Sequence, residues 1–449
     1  MTDSTGDGQA AGEARLTTRE AARRLGVKPE TVYAYVSRGQ LGSRRDPAGR
    51  GSTFDPKEVD ALVRRARREP PAGSDATQRI STGITLIEAD RYWFRGVDAV
   101  ELARSYPYEE VADWLWTGTR RPGLRFTAPA ESLAAARRAV GALPGHSGST
   151  DRLRVAAIAA AVADPLRFDL SREAVLGTAR ALIPTLVDAL PVAVGPGAGR
   201  TAGCHDAGAD GVAAGSGSRG EDGSGADTGS RADDGIAARL WARLTPRPPG
   251  AAALRALDLA LSLLIDHDLA ASTLAVRVAA SARAHPYAVV SAGLGAMDGP
   301  LHGAASGLAH RMLTDVLERG SAAAVVSDHL RAGRGVPGLG HRLYPRQDPR
   351  AAALFAALDE VPDAAPALAA ARGVTATTAR HAASHANVDL ALAALTVASG
   401  MRPDAGETVF AVARTAGWIA HALEEYEEPP LRMRPSGRYD GPRPPRPLP

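Results

Sequence analysis

The sequence predicts a mainly helical protein, with a large helical body preceded by a small, basic helix–turn–helix module. Three observations predict it. Alanine and leucine dominate, hydrophobic residues make up 45% of the 449 and aromatics only 4%; Ala, Leu and Arg are strong helix formers, and this apolar content can fill a large core. Apolar positions recur with helical spacing over most of the chain. Charge is unevenly spread: residues 15–68 hold fourteen Lys/Arg against six Asp/Glu, a balance of +8, so the rest of a chain with net charge +3 carries −5. A basic module on a mildly acidic body is the split expected when the module meets a polyanion.

In chain order, residues 1–14 are polar and are expected to be disordered. Thr17-Thr18-Arg19-Glu20 is a capping-box signature, with Thr17 at the N-cap and Glu20 at N3. The helix should run to Leu25, where Gly26 stops it; Pro29 suits the first turn of a second helix through Val36, which Gly39 ends. Ala21, Ala22, Leu25, Val27, Val32 and Val36 then face a small core. Residues 50–54 suit a hairpin wing and 56–68 a third helix. The segment 15–68 resembles winged helix–turn–helix domains of the MerR and excisionase type. In such a domain the second helix enters the major groove. Lys28, Arg38, Arg44, Arg45 and Arg50 would then meet phosphates, and Thr31 or Tyr33 would reach bases. A module that binds protein instead of DNA is the other reading of the same residues.

Residues 69–79 have the Pro/Gly/Ser composition of a linker. The body begins near Ile80. Amphipathic helices are expected over Glu131–Ala142, Asp151–Ala163 and Ser171–Leu190, and again from Ile236 to Tyr426. Between them, 195–235 is low in complexity and reads as a flexible insertion. It contains Gly215-Ser216-Gly217-Ser218-Arg219-Gly220, a GxGxxG string without the preceding strand that nucleotide binding requires. The Pro- and Arg-rich tail, ending in 442–449, is expected to be extended and disordered.

Several function classes are disfavoured. A single cysteine, Cys204, excludes an internal disulfide and suits a reducing, cytoplasmic setting. The first residues show no apolar signal-peptide core, and charges interrupt every apolar run before ~18 residues, so no membrane span is expected. Cys204 with His205, and His381 with His385, lack the company of a metal site; none is expected.

Three segments in the second half can carry chemistry. In Gly299-Pro300-Leu301-His302-Gly303, glycine and proline end one helix and His302 stands at the start of the next, where a helix N-terminus keeps imidazole neutral and able to donate. In Gly338-Leu339-Gly340-His341-Arg342 the flanking glycines let backbone approach a ligand, and Asp348-Pro349-Arg350 follows. In Asn387-Val388-Asp389 the aspartate precedes an apolar helix, a position that a simple N-cap also explains. Two imidazoles and a carboxylate can remove a proton beside a carbonyl and hold the oxyanion that forms.

With Asp266-His267-Asp268…Ala271-Ser272-Thr273 before them and Arg414-Thr415-Ala416-Gly417-Trp418-Ile419-Ala420-His421 after, these segments stand in the order of the citrate synthase family. The resemblance covers about residues 80–441, weakly at first and closely after Leu263. It includes the hairpin-like Ile84–Leu102 stretch and Arg434-Pro435 with Tyr439-Asp440-Gly441. It implies an all-α fold with a large and a small domain, the small one over about 266–380, and a homodimer. It implies condensation of acetyl-CoA with oxaloacetate to citrate and CoA, with no cofactor beyond acetyl-CoA as co-substrate. By resemblance, His302, His341 and Asp389 are catalytic, and His267, Arg350, Arg414 and Arg434 bind oxaloacetate, Arg434 across the dimer. Two positions depart from the family pattern: Ala270 replaces an asparagine, and Ala304-Ala305-Ser306-Gly307 replaces Gly-Ala-Asn-Glu. They leave two alternatives open, a 2-methylcitrate synthase using propionyl-CoA and a DNA-binding regulator whose body senses metabolites.

Overall fold

The computed structural model describes residues 15–25, 27, 29–37, 41–45, 51–60, 80–194, 234–299, 302–303, 305–379, 385–435 and 440–441. The linker, nearly all of the insertion with Cys204 and His205, the third helix beyond residue 60, and Lys28, Arg38, Arg50, His381 and Tyr439 lie outside them. The chain divides into two compact units, 1–81 with 436–449, and 82–435.

In the first unit the capping box forms as expected. Glu20 Oε2 accepts from the Thr17 backbone N–H and from Thr17 Oγ1, both at 2.8 Å, and starts helix Thr18–Leu25. Helix Pro29–Ser37 follows. Strands Leu16–Thr17 and Ser43–Arg45 pair antiparallel on either side of Ser52–Phe54, with Leu16 and Ser43 both opposite Phe54. The wing is therefore Ser43–Arg45 with Ser52–Phe54. Ala21, Ala22, Val32, Leu41, Phe54 and Val59 are buried together, with Leu25, Val27 and Val36 packed around them. Tyr33 is half exposed on the second helix and Thr31 is partly buried beside it; Arg44 is exposed on the wing strand rather than on a helix, next to Arg45.

In the second unit, strands Thr85–Glu88, Arg91–Phe94 and Val97–Asp98 form a small meander. Its two tight turns place Ala89 and Asp90, then Arg95 and Gly96, at positive φ, as two-residue hairpin loops require. Among the described residues every element after it is a helix, apart from an isolated bridge between Leu339 and Ala386. The three expected amphipathic helices are Ala130–Gly141, Ser149–Ala163 and Arg172–Ala189. The helices that follow include Ala251–Leu263, Ala271–Ser281, Ala305–Arg319, Pro349–Leu358, Val388–Ala398 and Ala405–Glu427. The last is 23 residues long and buried nearly all round, the mark of a helix at the centre of a core. Trp116 Nε1 donates to the Ala416 carbonyl (2.8 Å) and Tyr108 Oη to that of Val412 (3.1 Å), so even the aromatic partners of this helix meet their polar obligations. Among the described residues no helix is long and apolar enough to cross a membrane.

Candidate active site

The turn 266–270 lies between helices Ala251–Leu263 and Ala271–Ser281 and passes over the central helix at Gly417. A Cβ at Gly417 would sit 2.1 Å from the Ile265 carbonyl oxygen, so only glycine admits the turn. Arg414 and His421, three residues before and four after Gly417, share that face of the helix. Asp268 is held at φ 57°, a left-handed conformation that Asp tolerates better than most residues.

Under the turn runs a buried polar chain. The Asp266 carboxylate accepts from Thr85 Oγ1 (2.5 Å) and His421 Nε2 (3.2 Å). His421 Nδ1 faces Arg277 Nη1 at 2.9 Å. Arginine has no lone pair to offer, so Nδ1 accepts and Nε2 carries the hydrogen that reaches Asp266. Arg277 continues to Glu424 (2.7 Å) and Glu425 (3.1 Å), and Arg432 closes on Glu425 at 2.8 and 2.6 Å. Burial works to raise the Asp266 carboxyl, but His421 and Arg414 beside it bring it below the ordinary aspartate range. It therefore carries a fixed negative charge behind His267.

His267 is 8% exposed, with Nε2 2.8 Å from Tyr344 Oη and its ring edge-on to His341 at 5.1 Å. Burial, then Arg350, Arg414 and His341, hold it well below the usual histidine range, and so neutral. His341 sits in the glycine loop 338–344. Gly338 (φ 78°) and Gly340 (φ 73°) need positive φ, and a Cβ at Gly338 would lie 2.7 Å from Leu390 Cβ. The loop is strapped to the strand-like approach of helix Val388–Ala398: Gly340 N–H donates to His385 O (2.7 Å), Asn387 N–H to Gly338 O (3.0 Å) and Asn387 Nδ2 to Gly340 O (2.9 Å). Leu343 N–H donates to His341 Nδ1 (3.1 Å), which leaves Nε2 as the protonated nitrogen. Burial and Arg350 push His341 down to about 4, so the ring is a neutral donor.

Asp389 is not the cap of its helix. Asn387 is, accepting from the Asp389 N–H at 3.0 Å. The carboxylate of Asp389 is thus left without a structural duty at the helix start, and burial pushes it up to about 6 against the pull of Arg350.

Arg350 and Asp348 form a buried two-point pair, Nε–Oδ1 2.9 Å and Nη2–Oδ2 2.8 Å. Asp348 also caps helix Pro349–Leu358 and accepts the Val388 N–H at 3.0 Å. Burial alone would lower the Arg350 guanidinium; Asp348 reverses this and holds it firmly charged. Arg414 donates Nε to the Leu264 carbonyl (2.9 Å) and lies over the Phe410 ring at 4.6 Å. Burial brings it down to about 10, still a cation at neutral pH.

His302 stands in a turn, its N–H on the Gly299 carbonyl (2.9 Å), ahead of helix Ala305–Arg319 rather than in its first turn. Burial and the charge of Arg414 lower it, so the expected cause, a helix N-terminus, is replaced by these two. Its Nε2 is 2.8 Å from Ser272 Oγ.

His267, His341, Tyr344, Arg350 and Asp389 are thus gathered on one side, and His302 with Ser272, Phe410 and Arg414 on the other, joined by the mutual field of the two arginines. The arrangement offers three imidazoles held below the usual histidine range, a carboxylate of raised basicity and two buried cations, the equipment for proton abstraction from a substrate held by its carboxylates. Arg434 is not among them. It is exposed beyond the last helix, its N–H on the Leu431 carbonyl (3.1 Å). Sequence reading gave no role to Asp348, Tyr344, Ser272 or His421. For Asp348 a signal exists, since Asp-Pro-Arg is an N-cap followed by proline at N1. Ala270, at the cap of helix Ala271–Ser281, supplies no side-chain cap, and Ser306 is buried against Gly406.

The fold is that of a mainly helical protein with buried arginines, histidines and a carboxylate brought together, and comparison with known proteins gives its family. A family model described as "Citrate synthase, C-terminal domain" matches residues 73–436, and one described as "Helix-turn-helix domain" matches 15–67. The chain belongs to the citrate synthase family. It is 34% identical over 209 residues to a citrate synthase of Haloferax volcanii, covering 46% of this chain and 55% of that one. It is 29% identical over 190 residues to "2-methylcitrate synthase 2" of Corynebacterium glutamicum, covering 42% and 49%. The chain thus spans about half the length of the curated relatives it matches. The crystal structure of citrate synthase from Pyrobaculum aerophilum superposes with a TM-score of 0.64 at 22% identity, over 91% of this chain and 97% of that one, and the Thermotoga maritima enzyme with 0.61 at 23%, over 85% and 98%. These two likenesses concern the fold.

Proposed function

We propose that the body condenses acetyl-CoA with oxaloacetate and releases citrate and CoA. The observation that carries this reading is a raised carboxylate, Asp389, and a neutral imidazole, His341, both in the field of Arg350, with the protonated Nε2 of His341 fixed by the Leu343 amide. Oxaloacetate is held by Arg350 and Arg414, and the 266–380 region closes over it and excludes water. Asp389 takes a methyl proton from the thioester while His302, engaged through Nε2 by Ser272, donates from its other nitrogen to the thioester oxygen. The enol carbon bonds to the ketone carbon as the thioester carbonyl re-forms and returns its proton to His302; the ketone oxygen takes the proton of His341 Nε2, and the proton held by Asp389 makes good that loss through solvent. Water then cleaves the thioester, giving citrate and free CoA thiol. The test is thiol release from acetyl-CoA on adding oxaloacetate; no release above the rate without oxaloacetate overturns the reading. The same assay with propionyl-CoA ranks the two acyl groups. A methylene changes binding by only ~1–3 kcal/mol, so turnover of both at unequal rates is expected.

A homodimer is part of the proposal. Ile158 and Val162 on one helix and Leu274 and Val278 on another are i,i+4 apolar pairs left 57%, 74%, 44% and 46% exposed, and Leu166 and Phe168 are exposed as well. Exposed apolar side chains on two helices support this part of the proposal. With Arg434 acting on the partner's site, mixing inactive Asp389→Ala and Arg434→Ala proteins should restore part of the activity through hybrid dimers. No recovery after demonstrated subunit exchange counts against the shared site.

The first unit is proposed to bind DNA. Its winged helix–turn–helix form and the +8 charge of 15–68 support this. The expected result is retention of genomic DNA fragments at low salt with affinity falling steeply as salt rises, because each neutralised phosphate releases counterion. An intact protein that retains no fragment at low salt would leave the unit as a protein-interaction module.

A further inference from the structure

Tyr344 sits among the residues of the site and takes no part in the proton transfers of the proposed reaction. It is fully buried, on the loop of His341. Its ring tilts on the His341 ring, centroids 4.8 Å apart, and the Arg350 guanidinium lies over its face at 5.4 Å. Its hydroxyl is 2.8 Å from His267 Nε2. Burial pushes that hydroxyl above the ordinary tyrosine range, so it keeps its proton. A buried O–H needs an acceptor. Arg350 has none, and the lone pair of His341 is already taken at Nδ1 by the Leu343 amide. Tyr344 therefore donates to His267 Nε2, and the ring hydrogen of the neutral His267 stands on Nδ1. The two segments joined in this way are also registered from outside, by the hairpin of strands Thr85–Glu88 and Arg91–Phe94. Thr85 Oγ1 holds Asp266 (2.5 Å), next to His267. Asp90 holds Arg346, two residues beyond Tyr344, through Nε (2.7 Å) and the backbone N–H (3.3 Å). Loss of the Tyr344 hydroxyl would free the His267 ring without freeing the loop.

A carboxylate can only accept hydrogen bonds, so it is met by an N–H and repelled by a bare ring nitrogen. The hydroxyl of Tyr344 thus decides that the other nitrogen of His267 is a donor, and it fixes the ring against that of His341, 5.1 Å between centroids. We propose that Tyr344 is a positioning residue: it clasps the turn of His267 to the loop of His341 and holds His267 as an Nδ1–H donor toward the anionic substrate. The proposal rests on the synthase reading for the identity of that anion, oxaloacetate, and not for the clasp itself. The two parts of the side chain have separate duties. The ring packs on His341 and Arg350, and the hydroxyl sets His267. Phenylalanine at this position keeps the first and deletes the second.

The experiment has two arms. Nitrogen-15 NMR of the full-length protein labelled at histidine, with His267 identified by the signal lost in His267→Gln, reads which ring nitrogen carries the hydrogen and needs no turnover. The expected result is hydrogen on Nδ1 and a bare Nε2 whose resonance moves in Tyr344→Phe. In the second arm, thiol release by Tyr344→Phe should show the KM for oxaloacetate raised about 10-fold, the weight of one hydrogen bond to a charged group. Its kcat and its KM for acetyl-CoA should stay within about 2-fold of the unsubstituted protein, the split that lost ground-state binding produces. A tyrosine that merely filled the core would be replaced by phenylalanine with neither change. Hydrogen on Nε2 of His267, an Nε2 resonance indifferent to the substitution, or an unchanged KM for oxaloacetate would each overturn the proposal. A protein that releases no thiol overturns the synthase reading instead, and the NMR arm then decides the clasp alone.

Discussion

Replacing Asp389 by alanine should lower thiol release from acetyl-CoA and oxaloacetate by at least ~10²-fold, the usual contribution of a positioned general base. The protein should stay folded, because Asn387 and not Asp389 caps the helix. The pH dependence has a definite sign. The base works as carboxylate, and burial has pushed it up to about 6, so kcat/KM should be flat above that value and fall as pH drops through it. A rate unchanged in the variant would remove Asp389 from the mechanism. A profile level from pH 5 to 8 would remove the raised carboxyl from it.

The second large effect concerns stability. Arg277 is 1% exposed and holds His421, Glu424 and Glu425 together. Substituting it by methionine keeps much of the bulk but strands the Glu425 carboxylate, which is fully buried and left with Arg432 alone. Removing one partner from a buried pair costs ~3–5 kcal/mol. Urea unfolding should show a loss of that size, while Arg255→Met, which breaks an exposed contact to Glu360 at 3.8 Å, should change almost nothing. A loss below ~1 kcal/mol for Arg277→Met would show that the chain of buried charges is dispensable.

Much of this was legible in the sequence, and the limits have physical causes. Helix boundaries came within one or two residues wherever a cap or proline announced them, as at Thr17 and Pro29. The wing was harder. Its first strand, Ser43–Arg45, has no apolar alternation and exists because Ser52–Phe54 pairs with it. At the site, short motifs picked out His267, His341, Arg350 and Asp389, which the fold gathers, because their types and spacing are local facts. The groups behind them were not visible, because their partners are remote in the chain: Asp266 meets Thr85 and His421, and Ser272 meets His302. The same holds for the cause of neutrality at His302. A sequence suggests a helix terminus, whereas folding supplies burial and a distant arginine.

The carboxylate of Asp348 has a consequence for anyone who would retune this protein. It grips the guanidinium of Arg350 and the first amide of the helix that bears Asp389. Asp389's helix and Arg350 are therefore riveted to a common point, and their separation is not an adjustable dimension. On the proposed reading, a redesign for a longer oxo acid has to make its room elsewhere, beyond Arg414 or at the turn around His267. A library that varies Arg350 and Asp389 together while sparing Asp348 will sample new side chains on an unchanged ruler.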